Sequence, residues 1–447
     1  MSTSKGGSDR DRFLERLEQG RIAFVPGRGG RGGFYARRGQ VLVKGDDALR
    51  GRIAQLAPGA RQIAQVRDIG LFEVPDSGEA LRSLRAAKLQ VRRNHVFFGS
   101  TFTGSPAYAG NPSYAGNPAY AGNPAYAGNP AYAGNPAYAG NPLRSSAVPV
   151  KKPDDWECRR LKLDRRPRVG ILDTGLATNP TGDKAAHPWL ADFCELPGAG
   201  TWAARDDVRH PDDEDQPDVD GDGFIDRESG HGTFVAGVIR RLAPEACIVP
   251  RGALTSFGDG DDFSLAAGID ALVQSSREPL DILNLSLSGY TEDDEPPLAT
   301  HEVLKPLIAD GTVVVAAAGN DGSCRPAWPA ALPEVIGVAA LDCSGPAAFT
   351  NHGPWVDACA PGVGIVSTFL DFDGVEAPIP ALDDFDPDCF EGFASWSGTS
   401  FSAPIVCAAI AREMSRCDVT SPEAADRLLR TPGLLRLPDL GVVVNLA

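Results

Sequence analysis

Four polar side chains of this sequence follow apolar or small-residue runs, where an active site could use them. In chain order they are Asp173, His231, Asn320 and Ser400. Ser400 lies in a turn of small residues that leads into the apolar run 404–410, which predicts a helix with Ser400 at its start. Free backbone N–H groups at a helix start can bind the oxyanion that attack by a serine creates. Taken alone, this run fits a serine-rich helix cap at least as well as a nucleophile.

The other three side chains suit the remaining tasks of acyl transfer. Asp173 ends the apolar run 169–172, and His231 lies between two glycines at the start of a predicted helix. An imidazole there could act as a general base, and Asn320 could donate a hydrogen bond to an oxyanion. Each residue alone is explained as an ordinary turn or helix-start residue. Together they predict one site at the carboxyl ends of parallel strands.

This constellation resembles the subtilisin-like serine proteases, the subtilases, over about residues 165–447. The order Asp, His, Ser is the order of the catalytic triad in subtilisin. The resemblance implies that Ser400 is the nucleophile of a serine endopeptidase, that His231 moves its proton and that Asp173 orients the imidazole. It implies that Asn320 lies in the oxyanion hole, and that no cofactor is required for catalysis. The substrate-binding residues that it implies are Ser286, Leu287, Ser288, Ala318, Gly319 and Ala327.

Three positions depart from the family pattern. Phe234 stands where well-known members have a second histidine, a change that we expect to be tolerated. Ser288 and Ala327 stand where many members have glycine around the primary specificity pocket. Both add bulk, so we predict a medium apolar residue (Leu, Met or Ala) before the cut bond.

The alternation of strands and helices predicts the fold class α/β for residues 146–447, with a subtilisin-like, three-layer, doubly wound and mostly parallel sheet. A small ferredoxin-like α+β unit precedes it, because residues 39–99 follow the order β-α-β-β-α-β. The resemblance implies that this unit is an I9-like inhibitory prodomain, an intramolecular partner of the protease domain. We expect residues 1–38, which include a Gly/Arg-rich run, to form a mobile tail. The predicted elements are helices over 46–56, 78–88 (capped by Ser77), 231–242, 262–274 and 301–309, and strands over 40–44, 62–66, 70–74, 91–98, 168–172, 281–286, 312–316 and 335–340.

Residues 100–145 link the two units through a hexapeptide repeat, Ala-Tyr-Ala-Gly-Asn-Pro, over 105–142. A Gly-Asn-Pro step every six residues forbids a helix or a long strand, so we expect an uncharged, turn-rich spacer. The embedded Asn-Pro-x-Tyr pattern leaves open a second interpretation, in which the repeat docks a partner protein.

An acidic segment between Asp173 and His231 resembles the first half of an EF-hand loop, with its oxygen ligands at Asp218, Asp220, Asp222 and Asp226. The closing glutamate is missing, because Ser229 stands there and Glu228 comes one residue early. Two interpretations stay open: a solvated acidic loop, or a site for structural Ca²⁺.

Charge and cysteine content bound the remaining functions. The net charge of −16 divides into +9 over residues 1–104 and −25 over residues 143–447. Two interpretations stay open: attraction between the two units, or a drift in surface composition. No motif supports nucleic-acid binding, and no apolar stretch is long enough for a membrane span. The nine cysteines form no C-x-x-C pair, which favours reduced thiols. With no signal-peptide pattern at the N-terminus, we expect a cytoplasmic protein, or one exported without such a signal.

We therefore expect an active protease made as a self-inhibited zymogen, which acts on a protein or peptide substrate. The alternative is a repeat-bearing scaffold whose protease domain is inert and serves binding.

Overall fold

The computed structural model describes residues 15, 17–27, 32–99, 145–153, 165–179, 184–196, 215–221, 223–374, 377–379, 384–386 and 389–445. The repeat at 105–142 lies outside the described residues, as does Asp222. Among the described residues, no helix has the length and apolar character that crossing a bilayer demands.

The front domain (residues 22–99) is an antiparallel sheet with two helices on one face. Its elements are β1 (Ile22–Val25), β2 (Phe34–Lys44), α1 (Asp47–Leu56), β3 (Arg61–Val66), β4 (Ile69–Glu73), α2 (Ser77–Ala86) and β5 (Gln90–Gly99). The strand order β5-β2-β4-β3 is the ferredoxin-like order expected from the sequence. Alternate residues of β2 face opposite sides of the sheet: Val41 and Val43 pack on the helices, while Leu42 faces the predicted protease domain (residues 145–445).

Two details of the front domain differ from our predictions. Residues 1–38 are not wholly a tail, since β1 pairs with residues 34–37 of a β2 that begins six residues earlier than predicted. The strand begins at the aromatic pair Phe34 and Tyr35. The Gly/Arg-rich residues just before this pair are more typical of a tail than of a strand. The cap of α2 is Asp76, which accepts from the backbone N–H of Glu79, and not Ser77.

The protease domain contains an eight-stranded sheet in the order β19-β20-β14-β13-β12-β10-β7-β8. All neighbours are parallel except β19 and β20 at one edge. The strands are β7 (Arg168–Asp173), β8 (Cys247–Gly252), β10 (Ile282–Leu285), β12 (Val313–Ala317), β13 (Ile336–Leu341), β14 (Ala358–Pro361), β19 (Arg436–Leu437) and β20 (Gly441–Val443). Their near-continuous apolar sequences follow from burial on both faces.

Helices cover both faces of this sheet and make the three layers. They are α3 (His231–Leu242), α4 (Asp262–Ser275), α5 (Leu298–Ala309), α6 (Thr399–Cys417) and α7 (Ser421–Arg430). The first helix has the bounds expected from the sequence, and α4 and α5 differ from them by one to three residues. One core cluster joins α3, α6 and α7 to the sheet, and a second joins α4 and α5 to the other face.

Smaller elements complete the domain. A three-stranded antiparallel sheet, in the order β15-β18-β6, packs beside α3. Its strands, with the remaining short ones, are β6 (Val148–Pro149), β9 (Asp259–Asp261), β11 (Leu287–Ser288), β15 (Ile365–Asp373), β16 (Ala377–Ile379), β17 (Asp384–Asp386) and β18 (Cys389–Trp396).

The front domain lies directly on the protease domain. Leu42, Leu71 and Phe97 share the second core cluster with residues of α4 and α5, so the open face of the front sheet is buried there. At its end, β5 pairs antiparallel with β9 on one side and with β11 on the other. The last residues of the front domain therefore form the middle strand of a sheet that spans both domains.

Candidate active site

Asp173 and His231 meet where β7 ends and α3 begins. Oδ1 of Asp173 lies 2.6 Å from Nδ1 of His231 and also accepts the backbone N–H of Thr174 at 2.7 Å. Oγ1 of Thr174 accepts the backbone N–H of Gly232 at 2.9 Å, which fixes the helix start against the strand end. Any Cβ at Gly232 would collide with the carbonyl oxygen of Gly175, so this approach requires glycine.

An aromatic cluster surrounds the imidazole. His231 is fully buried, with Trp396 edge-on at 5.6 Å and Phe401 at 5.4 Å between ring centroids. Phe234, one turn along α3, packs on Phe401 at 4.4 Å. The phenylalanine at the position of the family's second histidine thus extends this apolar wall, which excludes water from the imidazole.

Three carboxylates set the charge around His231. Burial alone would lower the pKa of His231, but the negative charges of Asp173, Glu228 and Asp215 and the hydrogen bond that the ring donates to Asp173 raise it above its ordinary value. Oε2 of Glu228 lies 3.9 Å from Nε2, the nitrogen on the side away from Asp173, and both side chains are fully buried. The charged imidazolium is therefore favoured from both sides of the ring.

Asp215 accepts hydrogen bonds from residues at the start of α3. Its two carboxylate oxygens accept the backbone N–H of Gly230 at 2.8 Å and the hydroxyl of Thr233 at 3.0 Å. Burial raises the pKa of Asp215 to about 7 in spite of these donors. A carboxylate at this helix N-terminus satisfies donors that the helix leaves open.

Ser400 is the second residue of α6 and lies against the end of β10. Its Oγ donates to the carbonyl oxygen of Ser286 at 2.9 Å. In return, Oγ of Ser286 donates to the carbonyl oxygen of Ser400 at 2.7 Å, and Nδ2 of Asn284 donates to Oγ of Ser286 at 2.9 Å. Nε2 of His231 has no hydrogen-bond partner within the described part of the chain. In this arrangement, the hydroxyl of Ser400 is thus bonded to Ser286 and not to His231.

Asn320 follows β12 and is oriented by the residue before the serine. Its Oδ1 accepts both the backbone N–H and the hydroxyl of Thr399 at 2.9 Å. Because Oδ1 accepts these two hydrogen bonds, the orientation of the amide is fixed, with Nδ2 as its donor end. This geometry suits an oxyanion donor beside Ser400.

The sequence-predicted substrate-binding residues fall on two adjacent segments. Leu287 and Ser288 form β11 next to Ser286, and Ala318 and Gly319 follow β12. Gly319 has a φ of +97°, and a Cβ there would lie 2.9 Å from Oγ of Ser288. Oγ of Ser288 thus lies close to Gly319, where the two segments approach each other.

Ala327 reaches the same region through backbone pairing. Gly289 and Trp328 exchange two N–H···O bonds of 3.0 and 2.9 Å, which brings the residue after Ser288 beside the residue after Ala327. Ala327 is buried.

The end of β5 lies in a channel whose two walls are β9 and β11. Phe98 pairs with Asp259 on one side and with Ser288 on the other. Gly99 pairs with Leu287 and donates its backbone N–H to the carbonyl oxygen of Gly258 at 2.9 Å. An extended peptide in this register runs towards Ser400, because Leu287 directly follows Ser286.

The acidic loop gathers three of its four predicted ligands. One carboxylate oxygen from each of Asp218, Asp220 and Asp226 lies within 4.8 Å of the other two. Both oxygens of Asp218 accept backbone N–H groups, from Gly221 at 2.7 Å and Gly223 at 2.9 Å. The arrangement offers only hard oxygen donors, which fits Ca²⁺.

The sequence analysis missed two functional candidates. Asp215 has no feature in the sequence that distinguishes it from the acidic residues around it, yet it is buried beneath α3. Glu228 was considered only as a misplaced loop ligand, yet it lies beside His231. Its position three residues before a histidine at a helix start was the one available signal.

Comparison with known proteins places this chain. The Subtilase family profile matches residues 164–432. The minor extracellular protease Epr of Bacillus subtilis is 33% identical over 225 residues, which are 48% of this chain and 30% of that protein. Subtilisin DY of Bacillus licheniformis is 28% identical over 283 residues, which are 60% of this chain and 84% of that protein.

The chain thus spans less than a third of the length of Epr but most of subtilisin DY. In fold, it resembles fervidolysin from Fervidobacterium pennivorans, a keratinolytic enzyme related to subtilisin, with a TM-score of 0.57 at 21% identity over 94% of this chain and 61% of that one. Since the family profile covers more than half of the residues, the chain belongs to the subtilase family.

Proposed function

We propose that this chain is a serine endopeptidase that is made as a self-inhibited zymogen. The observation that carries this proposal is the path of β5, an extended peptide of the same chain that lies between two channel walls and runs towards Ser400. The arrangement supports peptide binding in the orientation that attack on a backbone carbonyl requires.

In the proposed reaction, Ser400 Oγ rotates to Nε2 of His231 and attacks the peptide carbonyl carbon. His231 takes the hydroxyl proton and later gives it to the leaving amine, so that an acyl-enzyme remains on Ser400. Asp173 keeps the imidazole in the required tautomer and stabilises its charged form. The Asn320 amide and the backbone N–H of Ser400 hold the oxyanion. Water then releases the acyl group by the same steps.

The front domain is the proposed inhibitor. Ion pairs with opposite signs on the two domains support this, as the charge division of the sequence suggested. Lys44 lies 2.5 Å from Glu302, and Arg85 lies 2.7 Å from Glu292. Together with the apolar contact beneath the front sheet, they hold β5 in the channel.

We place self-cleavage in the segment after Gly99, because Gly99 pairs with Leu287 and the adjacent Ser286 accepts the hydroxyl of Ser400, the proposed nucleophile. The test is the intact mass and the new N-terminus of the purified protein, with Ser400→Ala as the control. Loss of the front domain only when Ser400 is present supports autoprocessing. Identical masses for both proteins would refute it.

A fluorophosphonate probe separates the protease from the alternative of an inert scaffold. We expect covalent labelling of the processed chain that Ser400→Ala abolishes. No labelling of a folded, processed chain would favour the scaffold. A peptide library should then show Leu, Met or Ala before the cut bond, and dominance of Phe or Arg would contradict the narrowed pocket.

The repeat at 105–142 is a proposed docking segment for a partner or substrate. Deleting it should leave hydrolysis of a small peptide unchanged and slow cleavage of the native protein substrate, which mapping of new N-termini in cell extracts would identify. Equal loss of activity on both substrates would indicate a folding role instead.

We also propose that the protein is located in the cytoplasm. No disulfide joins the eight cysteines that the structure describes.

Asp218, Asp220 and Asp226 are the proposed ligands of a structural Ca²⁺, which would neutralise the loop between the strand of Asp173 and the helix of His231. The melting temperature should rise in millimolar calcium relative to chelator, and Asp226→Asn should remove the difference. An unchanged melting temperature in the parent chain would identify the segment as a solvated loop.

A further inference from the structure

The pairing of β1 with the first half of β2 forms a feature that the ferredoxin-like plan lacks. We name residues 17–27 and 32–38 the N-terminal hairpin. It lies beside the end of β5, because Ala36 of β2 pairs with His95. Its contacts with the protease domain fall on both sides of the channel that β5 occupies.

One contact is made with the β9 wall. The guanidinium of Arg37 lies 3.0 Å from a carboxylate oxygen of Asp259 and 2.9 Å from one of Asp261. All three side chains are at most 15% exposed, so solvent screens these ion pairs little. Asp259 and Asp261 alternate on β9 and so point to the same face, where they form a two-carboxylate site that a guanidinium fits.

A second contact is made on the other side of the channel. Nη1 of Arg325 donates to the carbonyl oxygen of Gly33 at 2.6 Å. Arg325 is fixed by Asp294 at 2.6 Å and lies 4.4 Å from the ring centroid of Tyr290, which follows β11 closely. The hairpin therefore bridges the two walls.

Between the Arg37 contact and the Arg325 contact, the hairpin makes an apolar contact with β5. Tyr35 packs edge-on against Phe98 of β5, with 5.4 Å between ring centroids, and Phe24 packs on Tyr35 at 5.3 Å. Ile22 and Val96 complete this cluster. The hairpin thus covers the channel-bound end of β5 as well as its flanks.

We propose that the N-terminal hairpin is a second docking surface of the front domain, which binds the acidic pair Asp259 and Asp261 through Arg37 and keeps β5 in the channel. This inference rests on the proposed inhibitory role of the front domain. In physical terms, β5 cannot leave the channel until the buried charge pairs beside it separate.

The test is hydrogen exchange of the full-length Ser400→Ala chain, followed by mass spectrometry of peptides that cover residues 96–99. Arg37→Gln should speed exchange there by about tenfold or more, since loss of a buried charge-assisted contact raises the population of the open channel. Arg38→Gln is the matched control, because it removes the same charge from an exposed neighbouring side chain. Arg38→Gln should leave the rate of exchange at residues 96–99 unchanged.

Exchange in β4 serves as the internal reference for folding of the front domain. If Arg37→Gln raises exchange in β4 as well, Asp259→Asn removes the contact from the protease side and should raise exchange at 96–99 alone. Unchanged exchange at 96–99 in the folded variants would overturn the role of the hairpin and leave the inhibitory strand intact. Absence of protection at 96–99 before any substitution would overturn both proposals.

Discussion

Replacing Glu228 by Gln should lower the pKa of His231. Glu228 and Asp173 flank opposite nitrogens of the imidazole, and Asp215 is the third carboxylate that acts on it. Glutamine keeps the shape of Glu228 but removes the charge at 3.9 Å from Nε2. Without that charge, burial of the imidazole is opposed only by the other two carboxylates and the hydrogen bond to Asp173, so the pKa of His231 should be lower than in the parent chain.

The size of the change follows from the distance. Two unit charges 3.9 Å apart interact by about 1 kcal/mol at the dielectric constant of water and about 4 kcal/mol at an effective value near 20. At 1.36 kcal/mol for each pKa unit, the pKa of His231 should fall by roughly one to three units. The smaller fall in the pKa of His231, of about one unit, is expected once β5 leaves and water enters the channel.

Two measurements check this value. An NMR titration of the histidines in full-length Ser400→Ala reports the closed state, and the acid limb of kcat/KM reports the processed enzyme. Only the neutral imidazole can accept the proton of Ser400, so a lower pKa moves the acid limb to lower pH and extends activity in that direction. Glu228 also lies 3.4 Å from the buried Arg227, so the melting temperature of each variant must be compared.

Glu334→Gln is the matched control. Oε2 of Glu334 lies 3.8 Å from Nε2 of His301, nearly the same distance, but its side chain is 49% exposed. Solvent screening should hold the pKa change of His301 below about half a unit, and His231 should not respond. If the pKa of His231 moves by less than about 0.3 units in folded Glu228→Gln, the electrostatic argument is refuted.

Three further predictions concern the same two domains. Asn320→Ala should lower kcat by about 10²–10³-fold with little change in KM, which is the loss known for the oxyanion amide of subtilisin. Steady-state kinetics on a peptide would show this loss. A proportionate rise in KM would indicate that Asn320 binds the substrate in its ground state instead. Ser288→Gly should widen the pocket and raise kcat/KM for Phe relative to Leu before the cut bond by about tenfold, within the range for a few methylenes; an unchanged ratio in a peptide series would show that the hydroxyl does not limit the pocket. Lys44→Gln should speed release of the front domain several-fold at low salt and less at high salt, because its pair with Glu302 is partly exposed; release kinetics that are independent of salt in both chains would contradict this.

The sequence predicted most of the fold because its apolar patterns have clear periods. The strand that ends at Asp173 and the helix that begins at His231 follow from a buried run and from glycines that permit close packing. Polar residues after parallel strands must meet at one sheet edge, so Asp173 and Asn320 could be assigned to one site without coordinates. The charges on the two domains likewise indicated attraction, though not the pairs that carry it.

What the sequence could not predict are contacts whose partners are far apart in the chain. Arg37 lies in a segment with many arginines. Only the pairing of its strand with β5 brings it into contact with Asp259, which is 222 positions away in the chain. Glu228 has an ordinary acidic-loop context, and its burial depends on Gly99 and Gly258, whose missing side chains leave room for it. The inhibition that we propose for this chain therefore depends on non-local pairing of β5, which the sequence suggests only through a resemblance. For that reason, exchange at residues 96–99 tests the architecture more directly than loss of activity, because activity depends on Ser400 whether or not the strand is seated.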